Sequence, residues 1–371
     1  MHTTERLRTL AHAIAESLRC DNPDVLGIYA YGSVGRGDAT PVSDLDLHVV
    51  LPDPPDPLHW TFEREGTVVG ISYHERRMYE ADLEQLLTEE QGTLRLSRAE
   101  SLWEAADAFI LYDPRGLVAR FVETASRVRR HPRLVRRRAL LSIQDGLALL
   151  CQAQSQVTGG SLAGALNTLY RLTGGSGSSG ALPLALRALA QLGDEALSTR
   201  RLFLRARAAA ARLDFDLTDV MAAYGILPGL PLIPGDEMRN ILLHLFDTSR
   251  RYFENAPLPD TAVRAEVATH FTDLQRHRLA ASVSELCAQD HAACIVFASG
   301  MAQSLLGLDR FPHPWLEATP DGVRLALTVA SARLAGIDEL SRGAVAGRVD
   351  LAGAVLKAVH RTGASLQEGR T

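Results

Sequence analysis

Lysine is almost missing from this chain: Lys357 stands alone, and every other Lys/Arg position is arginine. Any cation that grips a phosphate near a candidate site is therefore an arginine or a metal. Cysteine is scarce as well. Cys20, Cys151, Cys287 and Cys294 fit neither a zinc pattern nor a disulfide framework, so reduced and mostly buried thiols are expected. Long apolar runs are absent. The longest uncharged stretch, 146–170, is broken by Gln, Ser, Thr and Gly, which argues against a membrane partner. The first residues carry no apolar signal core, so a cytoplasmic protein is expected. Excess positive charge is lacking too. A net charge of -5 and a pI near 6.2 argue against a general nucleic-acid binder, which needs a basic face against phosphate.

What is present is ordinary globular material, 46% hydrophobic and 22% charged. A length of 371 residues exceeds what one core usually holds, so two or three domains are expected. Residues 3–19 place Leu7, Leu10, Ala11, Ile14 and Leu18 at helical spacing. Strands are expected at 26–31, 45–51, 67–73 and 109–112, with helices at 81–87 and from about Gly116. Beyond residue 130 strand signals nearly vanish and apolar spacing becomes helical, at 135–154, 161–172, 181–213, 237–254, 260–288, 290–306 and most of 321–360. The tail after Arg361 reads as frayed. The expected architecture is a mixed-sheet α/β (α+β) domain over 1–130 and a helical bundle over 131–255. A C-terminal helical region over 256–371 is either separate from that bundle or continuous with it. The glycine–serine run 174–180 reads as a loop or linker. A phosphate-cradling loop would need a strand before it and a Lys-Ser/Thr after it.

The informative stretch is Tyr31-Gly-Ser-Val-Gly-Arg-Gly-Asp-Ala-Thr-Pro-Val-Ser-Asp-Leu-Asp-Leu47. A strand delivers the chain to Gly32, where the missing Cβ lets backbone approach a ligand. Ser33 opens a short turn or helix whose N–H groups and hydroxyl suit an anion. Asp44 and Asp46 follow at i and i+2 on a strand, which puts both carboxylates on one face, with Leu45 and Leu47 facing the core. Two carboxylates this close call for a cation, and hard oxygen ligands suit Mg²⁺ bridging the oxygens of a triphosphate.

Gly32-Ser33 followed, after ten residues, by Asp44-x-Asp46 resembles the signature of the polymerase-β-like nucleotidyltransferase superfamily. The wording around it resembles the bacterial branch of aminoglycoside and minimal nucleotidyltransferases. The resemblance is strong over 26–75 and weak over 107–116, through Leu111-Tyr-Asp-Pro114. It implies nucleotidyl transfer, usually of AMP from ATP, onto a hydroxyl of a small-molecule acceptor such as an antibiotic or specialised metabolite. It also implies phosphate contact at Ser33, metal ligation by Asp44 and Asp46, and a phosphate or structural contact for Arg36.

One piece of that pattern is missing. The resemblance implies a third carboxylate on the next strand, where the matching slots are Gly70 and Ser72. Losing a general base removes about 10²–10⁴ in rate. Three outcomes stay open. Glu75, Glu63 or Glu65 swings in, with His74 as a further base candidate; an acid of the helical region such as Asp145 substitutes; or the site binds nucleotide without turnover. A protein acceptor, as in antitoxin-type adenylyltransferases, is a further alternative. The arginine run 127–138 reads as a solvated turn between domains. Asn167 is a candidate acceptor-pocket residue, and Trp103 and Trp315 read as packing. The oligomeric state is left open.

Overall fold

The computed structural model describes residues 3–56, 58–90, 105–157, 168–169, 171–174, 180–198, 200–229, 232–255, 271–305 and 342–368. Asn167, Trp103, Trp315 and the expected helices over 161–167, 260–270 and 321–341 lie outside them. The chain divides into two compact units, Met1–Val135 and Arg136–Thr371. A mixed α/β region followed by one that is helical throughout its described residues is the architecture the chain adopts.

The first unit is built on a five-stranded sheet of order β3-β4-β2-β1-β5. Its strands are β1 (Gly27–Ala30), β2 (Leu45–Leu51), β3 (His59–Arg64), β4 (Thr67–Glu75) and β5 (Phe109–Tyr112). Only β2 and β4 run parallel; the other neighbours are antiparallel. Helix α1 (Thr3–Asp21) buries Leu7, Leu10, Ala11 and Ile14 against one sheet face. Leu45, Leu47 and Val49 of β2 meet it there, the odd positions that strand parity assigns to that side. The opposite face carries α3 (Arg76–Glu90) and α4 (Leu117–Arg130). Tyr79 and Phe121 from these helices pack ring to ring at 4.4 Å and close on the buried Tyr29. Between β1 and β2 lies the short helix α2 (Gly32–Arg36).

Strand β3 departs from expectation. Its residues are all exposed or half-exposed, so it lacks the apolar continuity of β2 and β4. It is an edge strand held by cross-strand pairing and by the two-residue turn Glu65-Gly66. Both turn residues have positive φ, +53° and +67°, matching the twist of an antiparallel hairpin.

The second unit is helical throughout its described residues. Its elements are α5 (Pro132–Val157), α6 (Ala181–Leu192), α7 (Leu202–Leu213), α8 (Thr218–Ala223), α9 (Gly235–Asn255), α10 (Asp273–Gln289), α11 (His291–Leu305) and α12 (Arg342–Glu368). One apolar cluster runs from Ala139 through Phe246 and Leu286 to Val359, so helices on both sides of residue 255 share a core. Helix α6 is buried on nearly every side, as an apolar-all-round helix must be. The ends of the glycine–serine run meet. A Cβ on Gly180 would stand 2.8 Å from the Gly174 carbonyl oxygen. Helix α12 continues to Glu368, past the fraying expected after Arg361. The thiols also differ from expectation: Cys294 is buried and Cys287 half-buried, but Cys20 and Cys151 are exposed. No helix among the described residues is long and apolar enough to cross a membrane.

Candidate active site

Strand β1 is buried along its whole length and carries the chain to Tyr31, whose N–H donates to the Asp46 carbonyl at 3.2 Å. Gly32 then turns with φ +65°, a conformation that a side-chain-bearing residue adopts only under strain. Helix α2 follows for five residues and ends at Gly37, φ +81°. So short a helix is not stable alone; α1 holds it. Thr4 donates its hydroxyl to the Gly37 carbonyl at 3.1 Å, and Arg8 donates to the carbonyls of Val34 and Gly35, each at 3.3 Å. Beneath, Gly35 lets α2 approach the backbone of Asp107, where an added Cβ would lie 2.6 Å from a carbonyl oxygen.

The chain returns through a turn closed by Ser43. Its N–H donates to the Thr40 carbonyl at 2.9 Å, and its Oγ accepts from the Thr40 N–H at 3.0 Å. Half-buried Asp44 follows directly, and Asp46 lies on β2, paired with Gly70 of β4. The Asp46 carboxylate occupies the gap between two glycines. Its Oδ2 is 3.6 Å from where a Cβ on Gly32 would stand, and its Oδ1 is 3.0 Å from the equivalent point on Gly70. The glycine turn and the second aspartate therefore converge. Gly70 is one of the two positions at which the resemblance implies a third carboxylate. Asp46 now leans over that backbone, and a side chain there would crowd it.

Two positions further along the same face, His48 is buried. Its Nδ1 is hydrogen-bonded to the Tyr29 hydroxyl at 2.7 Å, and its ring contacts Tyr31 and His74, each at 4.3 Å between centroids. Burial, then the proximity of His74 and His59, pushes the His48 pKa well below the usual imidazole value. His74 is lowered by the same causes, burial first and then His59. The buried hydroxyls of Tyr29 and Tyr79 are pushed above the usual phenol range, chiefly by burial.

The other sequence candidates fall as follows. Ser33 is half-exposed at the start of α2. Arg36 forms an ion pair with Asp38 at 3.3 Å, which ties the turn together. Glu75 is not brought to the Asp46 level. It pairs with Leu51, five residues beyond Gly70, or about 16 Å along the strand, and strand parity turns it to the α1 face. Glu63 pairs with Val68 and shares the Gly70 face, at the exposed sheet edge. Glu65 occupies the hairpin turn. Asp145 is exposed on α5 in the helical unit. The arginine run is divided by His131-Pro132 between the end of α4 and the start of α5.

One pair on this face lies outside the sequence candidates. His59 of β3 stands across from Ser72, with His59 Nδ1 2.9 Å from Ser72 Oγ. The cue was present in the alternation of Trp60 and Phe62 before Glu65-Gly66, but it is weak where a strand is exposed.

Among the described residues no group of three or more His, Cys, Asp and Glu is arranged for a metal ion. Two aspartates are nonetheless a fitting donor set for Mg²⁺, which keeps several waters and binds through one or two carboxylates plus phosphate oxygens.

Residues 12–95 match the family model of the nucleotidyltransferase domain. The match covers the second half of α1, the Gly32 turn and strands β1 to β4, and supports generic nucleotidyl transfer and a transferase assignment. Among curated proteins none matches the chain. The crystal structure of a nucleotidyltransferase-like protein from Exiguobacterium sibiricum 255-15 is similar at 12% identity over 88% of each chain, with a TM-score of 0.31. An overlay that loose carries no argument.

Proposed function

We propose that this protein is a Mg²⁺-dependent nucleotidyltransferase that moves a nucleoside monophosphate, AMP from ATP, onto a hydroxyl of a small molecule such as an antibiotic or a specialised metabolite. The observation that carries the reading is the Asp46 carboxylate set between Gly32 and Gly70, beside the turn that begins with Ser33. Asp44 and Asp46 would hold the metal, which supplies positive charge to the triphosphate. Ser33 and the first N–H groups of α2 face the phosphates, because the opening turn of a helix leaves its N–H groups without intrahelical partners. Arg8 and Thr4 hold that turn from behind. Tyr31 and His48 pack ring edge to ring face beside Asp46, a support that would limit its reorganisation.

The test is incubation with labelled ATP, Mg²⁺ and a panel of aminoglycosides, lincosamides and hydroxylated metabolites. Label is expected on a small molecule. Asp44→Asn should lower the rate at least about a hundredfold, since a metal contributes several kcal/mol to the transition state. Gly70 favours a second reading, a nucleotide-binding regulator without turnover. Tight ATP binding with no product from any acceptor would establish that reading instead. Label on a protein would mark a protein acceptor.

A further inference from the structure

We infer that His59 is the general base that deprotonates the acceptor hydroxyl, held for that task by Ser72; the inference rests on the nucleotidyltransferase reading above. The face carrying Asp46 continues across Gly70 to the open edge of the sheet. Gly70 offers no side chain to the reacting groups. Toward that edge Gly70 is faced by Thr61, whose hydroxyl is too weakly basic to take a proton; the nearest imidazole there is His59, the cross-strand partner of Ser72 two residues on. Strand parity puts Asp46, His48, Gly70, Ser72 and His59 on one side. His59 stands two strands across and two residues along from Asp46, about 12 Å away at the level of the backbone. That gap suits an acceptor hydroxyl between the α-phosphate and the ring, since a base must reach the proton it removes and not the metal.

The contact with Ser72 fixes the ring. The 2.9 Å contact accommodates an Nδ1–H that donates to Ser72 Oγ, the tautomer the inference requires because it leaves the Nε2 lone pair as proton acceptor. His59 is exposed, so acceptor and solvent both reach it. In the step itself the acceptor O–H proton passes to Nε2. The acceptor oxygen forms a bond to the α-phosphorus. The bond from that phosphorus to the bridging oxygen breaks, and pyrophosphate leaves with the electron pair. Ser72 is a positioning residue and touches neither substrate.

The experiment compares the wild-type chain with His59→Gln, His59→Ala, Ser72→Ala and Glu63→Gln, using whichever acceptor the wild type labels. His59→Gln should lose about 10²–10⁴ in kcat, while calorimetry of Mg²⁺-ATP uptake stays unchanged. Added imidazole should restore part of the His59→Ala rate and none of an Asp44→Asn rate. In the metal-free protein, ¹⁵N NMR should show His59 as the Nδ1–H tautomer, and Ser72→Ala should abolish that preference. The inference is overturned if His59→Gln keeps more than half the wild-type rate, if Glu63→Gln alone loses it, or if the resting tautomer is Nε2–H. A wild type that labels no acceptor sinks the parent reading and this one with it. A labelling wild type with an indifferent His59 sinks this one alone.

Discussion

His48 is enclosed by Tyr29, Tyr31 and His74, and its burial favours the neutral ring. An imidazole whose pKa is lowered by folding binds fewer protons in the native than in the unfolded state. Its contribution to stability is therefore complete above the unfolded value, about 6.5. It is lost as pH falls below that value, toward the lower folded pKa. The protein should therefore be less stable at pH 5.5 than at pH 7.5, with His74 adding in the same direction. Urea denaturation of the metal-free protein at the two pH values measures it. His48→Asn, which keeps a polar partner for the Tyr29 hydroxyl, should flatten the dependence; an equal slope in that variant would assign the effect elsewhere. At this scale the sequence was most readable where chemistry is local. The aspartates at i and i+2 and the glycine at the end of a strand speak for themselves. The missing acid at residue 70 was visible too. Its consequence, Asp46 leaning over bare backbone, depends on the β2–β4 register, which no local pattern encodes.

Helix α2 belongs to the element scale because nothing within its five residues stabilises it. Its position is set by α1 above and by the close approach of Gly35 to the 105–108 turn below. Gly35→Ala would place a Cβ 2.6 Å from the Asp107 carbonyl oxygen and 3.1 Å from that of Ala30. Backbone must move, at about 1–3 kcal/mol, and the motion falls on the Ser33 turn. The expected result is a lower melting temperature together with weaker Mg²⁺-ATP uptake by calorimetry. A fall in stability with unchanged nucleotide affinity would show that α2 does not form the phosphate side of the site. The helix was legible only as a short turn or helix, because its support is tertiary: Arg8 lies more than twenty residues away. Strand β3 failed to register for a related reason. An exposed edge strand is specified by its partner and its hairpin turn, not by an apolar run. Elements with apolar periodicity, such as α1, α6 and α9, lay close to where spacing put them.

At the scale of the whole molecule the question is where the positive charge goes. Arginine is plentiful, yet many arginines in the described residues are spent on carboxylates. In the first unit Arg76 pairs with Glu80, Arg36 with Asp38, and Arg129 with Asp107. In the second unit Arg205 and Arg212 share Glu195, Arg207 meets Asp290, Arg250 meets Glu254 and Asp273, and Arg276 forks onto Asp247. The Asp247 carboxyl is held below its usual pKa chiefly by that Arg276 bond, so the pair stays charged and mutually neutralised at neutral pH. The run 127–138, the densest basic segment, is cut by His131-Pro132 into two helix ends, one of which commits Arg129 to Asp107. Counterion release from nucleic acid needs several free cations facing the phosphates together, and a net charge of -5 opposes such an encounter at long range. A random duplex should therefore bind more weakly than the roughly 10⁻⁴–10⁻⁶ M of ordinary non-specific binders at physiological salt. Fluorescence anisotropy of a labelled 20-base-pair duplex, titrated at two salt concentrations, checks this. Micromolar binding with a steep salt slope would show that the arginines gather on one face despite their carboxylate partners. It would also move the search for an acceptor from small molecules to nucleic acid.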